Sequence, residues 1–140
     1  MAQPRGFRNN NPLNIRKGND WQGERHPQTD KAFEEFQSLE LGLRAGFIII
    51  RNYMTRRPRL DTVAAIVRRW APPSENNTQA YIDNVCRRAV LQADQPFKFT
   101  DKNKVCRLVW AMCWQECGCE VSFGRIENAY EMAKSSYPAT

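Results

Sequence analysis

From Leu39 onward, apolar residues return every three or four positions. Leu39, Leu43, Phe47, Ile50 and Met54 form one stripe that runs until Arg56-Arg57-Pro58, the spacing that buries one face of an α-helix. Ser38 stands where a hydroxyl can satisfy the first free amides of that helix. The same period predicts a second helix opened by Asp61, with Val63, Ile66, Val67 and Trp70 on its apolar face. Ala71-Pro72-Pro73 must end it, because proline lacks the amide and clashes with the preceding turn. A third helix starts at Thr78 and carries Tyr81, Val85 and Ala89, and two more follow over Lys102–Cys117 and Ser122–Lys134.

Ahead of Leu39 the pattern is different. Asn9-Asn10-Asn11-Pro12 and Gly18-Asn19-Asp20 are turn chemistry, since Asn bonds the local backbone and tolerates left-handed conformations. Leu13-Asn14-Ile15-Arg16 alternates as a short strand does, and Lys31 to Phe36 supplies a partner, so a small hairpin is expected near the start. With no internal repeat and no linker, residues 1–140 read as one mainly α (α+β) domain of about five helices and a small N-terminal β-hairpin.

Composition narrows the class. The chain has 21 Lys+Arg and 15 Asp+Glu, a formal charge of +6, with 41% hydrophobic residues, which excludes a disordered tail. No apolar run approaches the ~18 residues of a membrane span, and Met1 to Gly6 has no apolar stretch of the secretory kind. Synthesis in the cytoplasm without a signal peptide, and no insertion into a membrane, are the expectations. Five cysteines cannot all pair within one chain, so reduced thiols are expected. Cys113, Cys117 and Cys119 invite a zinc reading, but no Cys-x2-Cys pair exists and His26 is remote; no metal or cofactor is expected.

One acid breaks the helical pattern. Val105, Leu108, Val109 and Met112 trace the buried stripe of the fourth helix, and the next position on that stripe is Glu116, just before Gly118. Desolvation and the negative end of the helix dipole both disfavour its charged form. A carboxyl kept protonated near neutral pH is what a general acid requires. The alternatives are that Glu116 swings out to solvent or pairs with a buried arginine.

Several strings in the chain are similar to known proteins. Gly6-Phe7-Arg8-Asn9-Asn10-Asn11-Pro12-Leu13-Asn14-Ile15-Arg16, then Trp21-Gln22-Gly23, then Phe33-x-x-Phe36-x-Ser38, resembles the opening of phage virion-associated peptidoglycan-degrading proteins and the middle of autolysin-type glucosaminidases of the lysozyme superfamily. Arg69-Trp70-Ala71-Pro72-Pro73-Ser74-Glu75-Asn76-Asn77-Thr78-x-x-Tyr81 resembles a second segment of that superfamily. Its catalytic Glu-Ser-Gly resembles Glu116-Cys117-Gly118, which lies at the other end of the order, so the resemblance implies a circularly permuted lysozyme-like domain. It further implies a muramidase or lytic transglycosylase with Glu116 as general acid. Asp30, Glu24 or Asp20 would be the second carboxylate if the reaction is hydrolysis. Asn14, Arg16, Trp21 and Tyr81 would bind sugar.

The implied partner is the peptidoglycan glycan strand, reached in the periplasm or at the wall after delivery by a holin, a virion or a secretion system. An antibacterial effector of this kind would also meet a cognate immunity or inhibitor protein. Two rivals come from other classes. Arg56-Arg57, Arg68-Arg69 and Arg87-Arg88 suit a basic nucleic-acid-binding helical domain, although the usual recognition motifs are missing and nucleic acid is not the expected partner. The other rival is a non-catalytic virion or secretion component.

Overall fold

The computed structural model describes residues 3–136. Six helices follow one another: α1 (Arg5–Arg8), α2 (Leu39–Thr55), α3 (Val63–Trp70), α4 (Thr78–Ala89), α5 (Lys102–Cys117) and α6 (Phe123–Lys134). The last five begin and end near their sequence signals. Ser38 accepts from the Leu41 amide and Ser122 from the Arg125 amide. Two caps fall on a neighbour of the expected residue: Thr62, not Asp61, opens α3, and Asn77, not Thr78, opens α4. The Thr78 hydroxyl instead donates to the Ala71 carbonyl at 2.6 Å, tying the two helices together across the Pro72-Pro73 turn. Gly118 ends α5 at φ 68°, a left-handed position that favours glycine.

α2 lies along α6, α5 packs against α4 and α6, and α3 rests on α4. Their inward faces join in one apolar cluster that includes Phe47, Ile50, Ile66, Ile82, Leu108, Met112, Ile126 and Tyr130. The Tyr130 ring meets Phe47 edge-on at 5.6 Å and stacks on Phe99 at 5.0 Å. Its hydroxyl donates to the Phe99 carbonyl at 2.7 Å, so the polar end of a fully buried ring is satisfied. No helix among the described residues is long and apolar enough to cross a membrane.

The hairpin, and with it the α+β lysozyme-like architecture, is not what forms. Among the described residues there is no strand; Arg16 and Phe33, and Glu24 and Phe36, meet only as isolated antiparallel bridges. Side chains take the backbone partners that a ladder would use. The buried Asn11 amide donates to the carbonyls of Ile15 (2.9 Å) and Glu34 (3.0 Å) and accepts from the Ile15 amide (2.9 Å). Gln28 likewise brackets Glu35, donating to its carbonyl at 2.9 Å and accepting from its amide at 3.0 Å. The result is a side-chain-bonded loop layer over residues 9–37. It sits directly on α2, where Gly42 faces the Asn10 carbonyl and Gly46 faces Leu13.

Asp30 pins this layer to α1. Its two oxygens accept from Arg5 Nε (2.6 Å) and Nη2 (2.5 Å), from Asn9 Nδ2 (3.0 Å), and from the amides of Ala32 (2.9 Å) and Phe33 (3.0 Å). The Arg5 guanidinium foremost holds the Asp30 carboxyl far below the usual carboxylate range. A folded-state pKa below the unfolded one gives stability that is complete above the ordinary carboxylate range and is lost as pH falls. Asp30→Asn should therefore lower the urea midpoint at neutral pH, and the gap to wild type should narrow in acid. Parallel urea titrations at about pH 7 and about pH 3 check this; a gap of constant size would show that the charge of Asp30 is not what matters.

Candidate functional site

Three elements converge on Glu116. Along α5, Val105, Leu108, Val109 and Met112 are completely buried, and the stripe continues to Glu116 in the last turn, half-buried. Asn14 comes from the loop layer at φ 53°, a left-handed conformation that Asn tolerates. There its Nδ2 donates to Glu116 Oε1 at 3.0 Å and to the Glu116 carbonyl at 3.3 Å. From the first turn of α4 the Tyr81 hydroxyl donates to Oε2 at 2.9 Å. Each carboxylate oxygen thus has one protein donor and keeps acceptor capacity for another.

Burial pushes the Glu116 carboxyl above its ordinary pKa of 4.5; the donors Asn14 and Tyr81 and the charge of Arg16 pull it back without cancelling the rise. Tyr81 is only 4% exposed. Burial first, and then the neighbouring Glu116, holds its phenol well above the usual tyrosine range, so it stays a donor.

Glu116 and Asn14 open into a cleft of about 600 Å³. Arg16 and Phe33 form one wall, with the guanidinium carbon 5.1 Å from the ring centre. Tyr53 and Trp70 form another, edge to face at 6.4 Å, and the Trp70 indole donates to the Leu13 carbonyl at 3.3 Å. Glu75 and Asn76, on the loop between α3 and α4, line the rim, and Arg16 reaches Glu75 at 3.7 Å. The lining therefore combines aromatic rings with planar amide and guanidinium groups around a fixed acceptor.

The structure places Asn14, Arg16 and Tyr81 around Glu116. Trp21 lies in a neighbouring depression together with Asp20, and its indole nitrogen is buried without a partner. Neither Asp30 nor Glu24 lines the cleft. Asp30 belongs to Arg5 and Asn9, and Glu24 accepts from the Trp21 amide at 2.5 Å. Phe33, Tyr53, Glu75 and Asn76 are cleft residues that the pattern along the chain does not single out, and Trp70, expected only to pack, forms a wall. The polar run Ser74-Glu75-Asn76-Asn77 between two helices was the available signal for the rim, since such loops carry function more often than core positions do.

All five cysteines are free, with Cys106 and Cys113 buried. Burial pushes the Cys106 thiol up to about 12 and the Cys117 thiol up to about 11. Among the described residues no group of three or more His, Cys, Asp or Glu could hold a metal ion.

The muramidase or lytic transglycosylase assignment does not stand. No family model matches the chain. The β element expected to present a second carboxylate is a loop layer; of the three nominated acids, Asp30 and Glu24 are engaged elsewhere and Asp20 lies with Trp21 in the neighbouring depression. The permuted lysozyme-superfamily assignment falls with it, as do the bacteriolytic glycoside hydrolase and the role of Glu116 as its general acid. What the chain does resemble is Protein P5 of Pseudoalteromonas phage PM2, to which it is 42% identical over 95 residues, an overlap of 65% of this chain and 59% of that protein's length.

Proposed function

We propose that this chain is a non-catalytic, glycan-binding component of a phage-type particle, and that it holds peptidoglycan glycan strands in the Glu116 cleft. The observation that carries the reading is the fixed acceptor at the cleft floor. A carboxylate oriented by Asn14 and Tyr81, in a cleft lined by Phe33, Tyr53 and Trp70, suits a ligand that offers hydroxyl and amide donors beside apolar sugar surface. Similarity to a phage protein supports the setting. The charge of +6 supports attraction to a wall rich in anionic polymer. Delivery from outside or across the membrane would bring the cleft to its strand.

Co-sedimentation with purified peptidoglycan sacculi tests the reading. Wild type should pellet with the sacculi, and Glu116→Gln should bind about tenfold or more weakly, the cost of losing a charged hydrogen-bond partner of about 1.5–3 kcal/mol. No soluble glycan should be released. Equal pelleting of wild type and variant, or the appearance of soluble fragments with wild type, would overturn it.

A further inference from the structure

The doublet Arg87-Arg88 near the end of α4 takes no part in the Glu116 cleft. Arg88 reaches across to α5, where its guanidinium carbon lies 4.0 Å from the ring centre of Trp114 and 5.3 Å from that of Trp110. A guanidinium stacked on a ring keeps its in-plane N–H groups for an anion. Arg87 Nη1 donates to Asn84 Oδ1 at 3.1 Å, and Asn84 Nδ2 donates on to Gln115 Oε1 at 3.2 Å. That chain crosses from α4 to α5 and occupies both amide oxygens, so the side-chain groups left over are donors: Arg88, the remaining N–H groups of Arg87, and the Gln115 amide nitrogen. They line a depression of about 390 Å³ beside Trp114, which is 40% exposed. A smaller depression of about 140 Å³, nearer the start of α5, has Lys104 and Arg107 on its wall. No carboxylate lines either one, and neither shares a residue with the Glu116 cleft. Among the described residues, none of these four cations is in an ion pair.

We propose that this α4–α5 face binds single-stranded nucleic acid, with phosphates on the arginines and an unpaired base against the exposed ring of Trp114. Leftover donors without a carboxylate select an anion. Arg107 and Trp114 stand about 10 Å apart along α5, two helical turns, so a ligand that repeats its charge can engage both depressions. The exposed indole selects a flat partner, which an acidic peptide does not supply and a duplex keeps inside its own stack. The site is separate from the glycan cleft and does not depend on what that cleft holds.

Fluorescence anisotropy with a short labelled oligothymidylate tests the proposal, set against a duplex of the same length and a poly-glutamate peptide of similar charge. Wild type should bind the single strand more weakly as salt rises, and should bind the other two at least about fivefold more weakly, the share of a stacked base. The double variant Arg87→Gln, Arg88→Gln should flatten the slope of log affinity against log salt by about 1.4, the loss of two phosphate contacts. Trp114→Ala should weaken binding about fivefold or more at an unchanged slope, and Trp114→Phe, which keeps a ring, should recover most of it. Circular dichroism spectra matching wild type would show that each variant is folded, and sacculus pelleting should not change, because none of these residues lines the cleft. Wild type that fails to bind the oligothymidylate, or variants that bind it as wild type does, would overturn the proposal. Poly-glutamate bound as tightly as the single strand would make the face an acidic-peptide site instead, and a duplex bound as tightly would remove the stacked base; either result also overturns it.

Discussion

Replacing Gly42 with alanine should destabilise the protein by about 2–4 kcal/mol, near the upper end for a single overpacked position. In an ordinary helix interior the same change gains up to ~1 kcal/mol, because alanine restricts the unfolded chain and favours the helix. Gly42 reverses that sign because a methyl group there would fall well inside contact distance of the Asn10 carbonyl oxygen. That atom belongs to backbone, in a segment whose neighbours Asn9 and Asn11 are buried and bonded, so it has no flexible end to turn aside. Gly124 is the control. It lies at the start of α6, its nearest neighbour to an added methyl is Ser122 Oγ at 3.9 Å, and alanine there should be neutral or slightly stabilising. Urea unfolding of the two variants measures the contrast. A Gly42→Ala protein as stable as wild type would mean that the loop layer is not seated on α2 as described.

The same contact shows why the helices could be read from the chain and the loop layer could not. Helical stripes such as Leu39, Leu43, Phe47 and Ile50 are set by which residues must leave water, and those residues are indeed buried. Glu116 followed from the same logic, since the stripe of α5 leads to it. The alternation at Leu13-Asn14-Ile15-Arg16 is also present in the fold: Leu13 and Ile15 are buried and Arg16 is exposed. Alternation requires only an extended backbone with one covered face, however, and does not require a strand partner. Whether a ladder forms depended on Asn11, Gln28 and Asp30 bonding backbone amides within the layer, and no periodicity reports that. The assignment of Asp30 and Glu24 failed for a related reason. A carboxylate in a loop reads identically in sequence whether it faces a cleft or locks a turn. The cap shifts from Asp61 to Thr62 and from Thr78 to Asn77 are milder cases, in which adjacent residues both have the chemistry and backbone geometry selects one.

Glu116→Gln should make the folded protein more stable at neutral pH while weakening its binding. Burial raises the folded-state pKa of Glu116 above its ordinary 4.5, so in the pH range above that value the folded state holds the proton more tightly than the unfolded chain does. Stability then falls as pH rises through this window, the reverse of the Asp30 case. Glutamine carries no charge to desolvate and none to oppose the C-terminal end of the α5 dipole. It can still accept a hydrogen bond from Asn14 or Tyr81, and the Tyr81 oxygen can accept from its amide. The stability advantage of the variant should therefore be greatest near neutral pH and shrink toward acid, where wild-type Glu116 is protonated in both states. Some slope should remain in the variant, because burial and the adjacent Glu24 raise Glu34 in the same direction. Urea midpoints of wild type and variant across the acid-to-neutral range, set beside sacculus binding of the same samples, decide the matter. A variant less stable than wild type at neutral pH would make Glu116 a structural acid. A variant that gains stability and loses the strand would show that the carboxylate is kept at the expense of the fold, for the sake of what occupies the cleft.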